Sequence, residues 1–358
     1  MSVLRVLHLV GSAVDDFYCD LSRLYAEDCW EATADPALYE FYIAYVTPDG
    51  CWRFPTSLSL EAITTAPPQS LAAAVQMLTS LNIDVMVPQM FCIPGMTAYR
   101  ALFDLLQIPY VGNTSALMAL AANKAKTRAV VAAAGILVPP GELLRRGDTP
   151  TIMAPVVIKP VDTDNSLGLA FVGTAGDYLG AIETAFTHAD EVLVEKFVEL
   201  GREVRCGIIV QDGELVCLPL EEYLMDRTDR PIRSYADKLS RSEDGDLTMV
   251  AKGNEKSWIV DPRDPLTERV WAVARKCHIA LGCRHYSLFD FRIDPSGQPW
   301  FLEAGLYCSF ATTSVISAMA KSAGIPLSEI FHSMVISSVS QLEQAGYGKM
   351  GGEINKIL

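Results

Sequence analysis

The stretch LFDFRIDPSGQPWFLEAGLYCSF at residues 288–310 contains two strand-like runs that are otherwise built for burial, and each run carries one carboxylate, Asp290 or Glu303. Within it, Asp294–Gly297 is a turn signal, because proline presets φ and glycine suits the exit, so we predict an antiparallel hairpin. If the first and last residues of this turn face each other, Asp290 lies opposite Phe301 and Glu303 is its diagonal neighbour on the same face. Diagonal side chains lie roughly 7–8 Å apart, so both carboxylates can converge on one or two cations.

A metal site used together with a nucleotide is the hypothesis that this pair favours. Burial of an unpaired charge is costly, and Mg²⁺ prefers one or two carboxylates together with substrate phosphates. The alternative is that one of the two acids only keeps an edge strand soluble.

Three further signals are weak when they are taken one at a time. Lys159 ends an apolar strand, where a lysine is often simply solvated. The loop that follows, DTDNSLGLAF, has backbone N–H groups that can cradle a phosphate, although such loops are also common turns. Glu195 in VLVEKFVEL ends a predicted strand and has an exposed acid as its alternative interpretation. Their order along the chain is more informative than any one of them.

The elements that position these residues alternate between strand and helix. Residues 1–118 run from the strand-like VLRVLHLVG to IPYVGN with helical stretches between, which predicts an α/β fold with a parallel sheet. A single helix is predicted over TSALMALAANKAKTRAVVAAAG, capped by Thr114 or Ser115 and closed by Gly135. We expect an N-terminal α/β substrate domain at 1–118, a small central subdomain at 119–192 and a larger C-terminal subdomain with the metal site at 193–358.

Composition narrows the class of partner. The chain has 358 residues, a formal charge of −14 and no Lys/Arg-rich block, so nucleic acid and anionic membrane are poor partners. No apolar run approaches the length of a membrane span, and the first strand-like run is too short for a signal sequence. Nine scattered cysteines without a CxxC argue against disulfides and zinc and for a reducing cytoplasm.

Five stretches in order make the chain resemble a known family. They are IPYVGN, ANKAKTR, VVIKPVDTDNSLGLAFV, VLVEKFVELGREVRCGII and DFRIDPSGQPWFLEAG. Together they span about 110–310 and resemble the ATP-grasp ligases, specifically the D-alanine–D-alanine ligase branch. The resemblance implies an ATP-grasp fold behind an N-terminal parallel-sheet domain, an ATP-dependent carbon–nitrogen ligase that uses ATP and Mg²⁺, and a homodimer.

The resemblance also implies a set of nucleotide contacts. The lysines that hold the phosphates of ATP look like Lys124 and Lys159. The lid loop at 165–169 has at its centre Ser166, Leu167 and Gly168. The adenine hinge and the ribose carboxylate look like Glu195, Lys196, Phe197, Val198 and Glu203.

Four more positions match groups that act on the reacting atoms. Lys238 resembles the lysine that reaches the terminal phosphate. Asp290 and Glu303 match the magnesium carboxylates. Ser314 matches the serine that receives the carboxylate of the second substrate.

The sequence departs from the family pattern at two positions. The asparagine that usually completes the metal site is Gly305, and the arginine that usually steadies the charged transition state is Leu288. Arg292 is the substitute that we predict, because strand alternation places it on the face of Asp290. Arg284 is the second candidate, and a surface role is the alternative for Arg292.

The substrates are predicted from resemblance alone. The opening of the chain and AYVTPDGCWRFP are similar to the ligases of mycosporine-like amino acid biosynthesis, which implies that a serine- or threonine-like amino acid is joined to mycosporine-glycine. Aromatic residues that can flank its ring are Phe17, Tyr18, Trp52 and Tyr307, although they can equally be core residues. The alternatives are a D-alanine–D-alanine or other dipeptide ligase, and a non-catalytic nucleotide-binding protein.

Overall fold

The computed structural model describes residues 3–163, 167–226, 231–233, 239–241, 247–249 and 256–344. The α-helices are α1 (Asp16–Thr33), α2 (Leu60–Thr65), α3 (Leu71–Ser80), α4 (Arg100–Leu105), α5 (Ser115–Ala121), α6 (Lys124–Ala133), α7 (Tyr178–Phe186), α8 (Pro265–Leu281), α9 (Val315–Ser322) and α10 (Leu327–Gln344). Short turns of π-helix and 3₁₀-helix lie at Gly95–Tyr99 and Ala175–Asp177.

Within the described ranges the strands form four sheets, of which the smallest is a two-stranded ribbon, β12 with β13. Their bounds are β1 (Leu4–Gly11), β2 (Tyr39–Val46), β3 (Trp52–Arg53), β4 (Val85–Pro88), β5 (Gly141–Arg145), β6 (Val156–Pro160), β7 (Ala170–Val172), β8 (Glu191–Lys196), β9 (Arg202–Gln211), β10 (Glu214–Cys217), β11 (Glu221–Tyr223), β12 (Leu239–Arg241), β13 (Leu247–Met249), β14 (Ser257–Ile259), β15 (Tyr286–Ile293) and β16 (Pro299–Gly305).

The N-terminal sheet has the order β3-β2-β1-β4. β1 pairs in parallel with β2 and β4, which confirms the predicted parallel sheet, and β3 adds an antiparallel edge. The run IPYVGN contributes only one parallel bridge, between Met86 and Tyr110. The prediction of a full strand there is wrong, because the following residues turn away to bond with β15 and β16.

The helix predicted after this sheet is two helices. Thr114 caps α5, as predicted, but the side chain of Asn123 caps a second helix, α6, by accepting a hydrogen bond from the backbone N–H of Lys126. The backbone N–H of Lys124 donates to the carbonyl of Val161 instead of continuing α5. This break fixes Lys124 in the first turn of α6, beside the loop that follows β6.

The central sheet is antiparallel with the order β5-β8-β6-β7. Its core is closed by α7, whose buried face packs against β6 and β8. β8 ends at Lys196, so this sheet continues four residues past the boundary predicted at 192. The three-domain division itself stays a prediction.

The C-terminal sheet has the order β14-β11-β9-β15-β16, with β10 paired to β9. One core packs its face against α5, α6 and α8. A second core joins β9 and β15 to α9, α10 and the strands β1 and β4 of the N-terminal sheet. The hairpin that carries Asp290 and Glu303 therefore contributes residues to both cores. Among the residues that the structure describes, no helix has both the length and the apolar character that a membrane span needs.

Asn113 joins the N-terminal sheet to the C-terminal hairpin. Its buried side-chain amide donates to the carbonyls of Tyr286 and Leu306, each at 3.0 Å, and accepts from the backbone N–H of Arg284 at 2.8 Å. All three partners belong to the region around β15 and β16.

Replacement of this amide is expected to destabilise the fold. Asn113→Ala leaves three backbone groups without their partner, and one unsatisfied buried group costs about 1–3 kcal/mol. We expect the free energy of unfolding to fall by about 3 kcal/mol or more in urea titrations followed by circular dichroism. The exposed Ser57→Ala is the control and should change it by less than about 0.5 kcal/mol. Equal midpoints for the two variants would contradict the role of Asn113.

Candidate active site

One pocket lies between the central sheet and the C-terminal hairpin, and it collects most of the predicted residues. Of the predicted residues that the structure describes, the following line it: Lys124, Lys159, Leu167, Glu195, Lys196, Phe197, Val198, Glu203, Asp290, Arg292 and Glu303. Gly168 and Ser314 are placed outside this lining, and Ser166 and Lys238 lie outside the described residues.

Lys159 and Glu195 form a buried ion pair on the wall made by the central sheet. The ammonium lies 2.5 Å from the carboxylate, and Arg128 approaches the other carboxylate oxygen at 3.1 Å. β6 and β8 are antiparallel neighbours, and Val157 is paired with Glu195, so strand alternation brings Lys159 to the same face. The cation expected to meet phosphate is therefore already bound to the acid expected at the hinge.

Lys124 links the opposite wall to the loop after β6. Its ammonium donates to the carbonyl of Thr163 and lies 3.8 Å from the Glu303 carboxylate. The hydroxyl of Thr163 in turn donates to the carbonyl of Leu167 at 2.9 Å. Gly168 has a positive φ of 71°, and a Cβ there would lie 2.6 Å from the ring of Pro160, so the loop has no room for a side chain at this position.

The predicted hinge is anchored to neighbouring backbone. The N–H groups of Lys196 and Phe197 donate to the carbonyls of Pro140 and Pro155, at 2.7 and 3.0 Å. The ammonium of Lys196 donates to the carbonyl of Met153 at 3.0 Å. These bonds fix the connection between the two sheets that enclose the pocket.

Arg292 lies at this hinge. Its guanidinium is 2.5 Å from the Glu203 carboxylate, donates to the carbonyl of Pro231 and covers the ring of Phe197. It is only 4% exposed, so the surface alternative is wrong. Its contacts place it beside the predicted ribose acid, and its role in the transition state stays a prediction. The second candidate, Arg284, donates instead to the carbonyl of Gly112, away from the pocket lining.

The hairpin brings its two acids together by a different register from the predicted one. Asp290 pairs directly with Glu303, while Phe291 pairs with Phe301, so Leu302 is the extra residue of a β-bulge. The predicted pairing of Asp290 with Phe301 is wrong, because the turn holds one more residue and closes with a bond from the backbone N–H of Asp294 to the carbonyl of Gln298. Both carboxylates nevertheless face the pocket, as predicted.

Ser314 belongs to a separate region, at the start of α9. Its hydroxyl caps that helix and lies 2.8 Å from the hydroxyl of Ser317. The preceding loop is tied to α1, because Thr312 donates its backbone N–H and its hydroxyl to the carboxylate of Asp28. Ser314 therefore lies beside the junction between the C-terminal and N-terminal parts of the chain.

The aromatic residues that could flank an acceptor ring lie in different surroundings. Trp52 is 1% exposed and packs against Tyr99, so for this residue the core alternative is confirmed. Tyr307 is 42% exposed and lies 6.0 Å from Phe91, which contacts Tyr25. Phe17 and Tyr18 contact each other at the start of α1.

Comparison with known proteins identifies the family. The model described as "D-ala D-ala ligase C-terminus" matches residues 144–336, more than half of the chain. The chain belongs to the D-alanine–D-alanine ligase family. The D-alanine–D-alanine ligase of Geobacter sulfurreducens is 29% identical over 259 residues, which cover 70% of this chain and 75% of that protein. This membership confirms the predicted enzyme class, an ATP-dependent ligase that forms a carbon–nitrogen bond and uses ATP and Mg²⁺.

Solved structures confirm the ATP-grasp fold. The VanG D-Ala:D-Ser ligase from Enterococcus faecalis has a TM-score of 0.74 at 23% identity, covering 94% of this chain and 100% of that one. A Bacillus anthracis D-alanine–D-alanine ligase complexed with ATP has a TM-score of 0.69 at 18% identity, covering 96% of this chain and 100% of that one. At these identities the likeness shows the fold alone.

The two departures from the family pattern occupy one cross-strand pair. Leu288 lies directly opposite Gly305, and a Cβ built on Gly305 would touch the Leu288 side chain at 3.8 Å. An apolar cross-strand pair thus stands where the D-alanine–D-alanine ligase pattern has an arginine and an asparagine.

Four residues of the site region were missed by the sequence analysis: Arg128, Arg205, Tyr223 and Arg233. Arg205 binds both oxygens of Asp290, at 2.6 and 3.2 Å. Strand alternation is a signal that could have found it, since Arg205 lies two residues after Glu203 and must share its face. Arg233 and Tyr223 meet only in the folded chain.

Loss of the Glu195 charge is expected to destabilise the site. Glu195→Gln leaves Lys159 and Arg128 without their shared buried partner, and loss of one member of a buried pair costs about 3–5 kcal/mol. We expect the free energy of unfolding to fall by about 3 kcal/mol in urea titrations without ligand.

The matched control is Glu191→Gln on the same strand. Glu191 pairs with Arg145, which is 76% exposed, so the loss should be below about 1 kcal/mol. Similar losses in the two variants would show that burial of the Glu195 pair has no special weight.

Proposed function

We propose that the pocket binds ATP and transfers its γ-phosphoryl group to an oxygen of a small acceptor, which an amine then attacks. The observation that carries the proposal is the convergence of Lys124, Lys159, Asp290 and Glu303 on one pocket that is closed by an anchored hinge. Phosphoryl transfer needs positioning and charge stabilisation more than covalent chemistry by the protein. Lysines for the phosphates and carboxylates for a metal are the required groups.

Different sides of the pocket are assigned to different parts of ATP. Adenine and ribose lie at the hinge side, near Phe197, Val198 and Glu203. The phosphates lie toward the two lysines, under the loop that contains Leu167 and Gly168. Thr163 accepts a hydrogen bond from Lys124 and donates one to Leu167, so it ties the described end of this loop to one of the two lysines.

Magnesium fits the donor set as a partner of the nucleotide. Within the described parts of the chain, no group of three or more His, Cys, Asp or Glu side chains is arranged to hold a metal. Mg²⁺ commonly takes one or two carboxylates with phosphate oxygens and water, and Asp290 and Glu303 supply those carboxylates. The ion neutralises charge on the phosphate oxygens when it is bound.

The chemistry proceeds in two balanced steps. In the first, the bond from the γ-phosphorus to ADP breaks while a bond to the acceptor oxygen forms, and ADP leaves. In the second, the amine nitrogen adds to the activated carbon, loses a proton and expels phosphate. Exclusion of water protects the phosphorylated intermediate between the steps. The cytoplasmic location and the homodimer both rest on the sequence pattern and the family resemblance.

Two acceptors are candidates. The D-alanine–D-alanine ligase named among the relatives favours D-alanine, whose carboxylate would be phosphorylated and whose second copy would supply the amine. Mycosporine-glycine with a serine- or threonine-like amino acid is favoured by the resemblance in the N-terminal stretch. Tyr307, which is exposed and contacts the ring of Phe91, is the candidate to flank its ring. Phosphorylation of its ring carbonyl oxygen and attack by the amine would leave an imine.

The experiment that separates the acceptors is ADP release by the purified protein with ATP and Mg²⁺. Turnover with D-alanine alone identifies a dipeptide ligase. Turnover that requires mycosporine-glycine and an L-amino acid identifies the imine-forming ligase. Binding of ATP without ADP release in any amine-containing mixture supports the non-catalytic alternative and contradicts the proposal.

Lys159→Ala is expected to remove ligation and to weaken ATP binding. A hydrogen bond to a charged group is worth about 1.5–3 kcal/mol, so the dissociation constant for ATP should rise about tenfold to a hundredfold in calorimetric titrations. Lys321→Ala, at an exposed position on α9, is the control and should bind ATP as the unmodified chain does. Full ligation by the Lys159 variant would remove this residue from the phosphate site.

A further inference from the structure

Four charged side chains form a row across the C-terminal sheet. Cross-strand pairing places Glu221 beside Arg205, Arg205 beside Asp290, and Asp290 beside Glu303. Directly paired residues share a face of a sheet, so the row runs over four strands on the face that bounds the pocket. We call these four residues the charged row.

Arg205 neutralises the metal-site acid within this row. Its two bonds to Asp290 form a bidentate fork, and both side chains are 16% exposed. Burial lowers the pKa of the Arg205 guanidinium, but Asp290, Tyr223 and Glu221 together outweigh burial and hold that pKa well above the usual range. A permanent positive charge therefore lies beside the pocket, on the strand next to Asp290.

Arg233 is a second guanidinium at the same acid, and it lines the pocket itself. One terminal guanidinium nitrogen of Arg233 lies 3.9 Å from Oδ2 of Asp290. The guanidinium carbon is 3.6 Å from the centre of the Tyr223 ring. The phenol of Tyr223 donates to Glu221, and burial raises its pKa, so the ring stays neutral. A flat neutral ring below and a carboxylate at its edge fix the orientation of the Arg233 fork.

The other arginines near the hairpin have different partners. Arg292 also lines the pocket but is bound to Glu203 at the hinge, and Arg284 bonds to backbone away from it. The position two residues before Asp290 is Leu288, which packs toward Gly305. Within the described lining, Arg233 is thus the guanidinium that lies against the metal-site acid.

We propose that Arg233 is the cation that contacts the transferred phosphoryl group, and that Tyr223 and Asp290 position it for this contact. The inference rests on the proposed function, since it requires phosphoryl transfer in this pocket. The equatorial oxygens of the transferred group carry spread charge in the transition state, and a planar guanidinium matches them with two parallel donors. Arg233 stabilises this charge while the bond to ADP breaks and the bond to the acceptor oxygen forms.

The test compares ground-state and transition-state binding. In Arg233→Met, we expect affinity for AMP-PNP to change less than threefold and affinity for ADP with aluminium fluoride to fall at least tenfold. With the acceptor that supports turnover, kcat for ADP release should fall at least a hundredfold while KM for ATP changes little. Loss of one preorganised charge-stabilising donor commonly costs about 10²–10³ in kcat.

Three further variants keep the result interpretable. Arg233→Lys keeps the charge without the planar fork, so it should fold and recover only part of kcat. Arg292→Met should weaken AMP-PNP and ADP–aluminium fluoride alike, because Arg292 lies at the hinge. Arg263→Met is the matched surface control, since Arg263 is 90% exposed and pairs only locally with Asp261.

The outcomes separate the inference from the proposed function. Unchanged kcat and unchanged binding of ADP–aluminium fluoride in Arg233→Met, in a chain that does ligate, would overturn the inference alone. Equal losses for AMP-PNP and for ADP–aluminium fluoride would also overturn it, because they indicate a ground-state contact. Absence of amine-dependent ADP release in the unmodified chain would overturn the proposed function itself.

Discussion

The pocket depends on strand alternation along the hairpin and on the single β-bulge that corrects it. The pairing of Phe291 with Phe301 would put Leu302 opposite Asp290 and turn Glu303 to the other face. The bulge adds one residue to β16, and Glu303 returns to the face of Asp290. With the bulge, Phe291 and Phe301 can both be buried while Asp290 and Glu303 both face the pocket. The observed register depends on both pairs of residues.

The acidic side chains of the pocket are each paired with a nearby cation. Glu195 is bound by Lys159 and Arg128, Glu203 by Arg292, Asp290 by Arg205, and Glu303 is approached by Lys124. Each of these four acids therefore has a cation beside it, and a buried charge that keeps its partner costs less free energy than one that is left alone.

Local sequence signals predicted the hairpin and the hinge better than they predicted the segments that connect helices and strands. Turn chemistry and alternation were sufficient to place Asp290 and Glu303 on one face, although the length of the turn and the bulge depend on packing that no local pattern encodes. The division into α5 and α6 was missed, because the cap at Asn123 is one polar residue inside a good helical pattern. Arg233 was missed for a different reason: its partners, Tyr223 and Asp290, are distant in sequence.

The pairing of Leu288 with Gly305 affects how substitutions are tolerated at both positions. The two positions face each other, so the effect of one substitution depends on the residue at the other. An asparagine introduced at 305 would meet a leucine instead of a polar partner, and an arginine at 288 would stand beside Asp290, whose oxygens already bind Arg205. The effects of these two substitutions are therefore expected to be non-additive. Evolution at one of the two positions depends on the residue already present at the other.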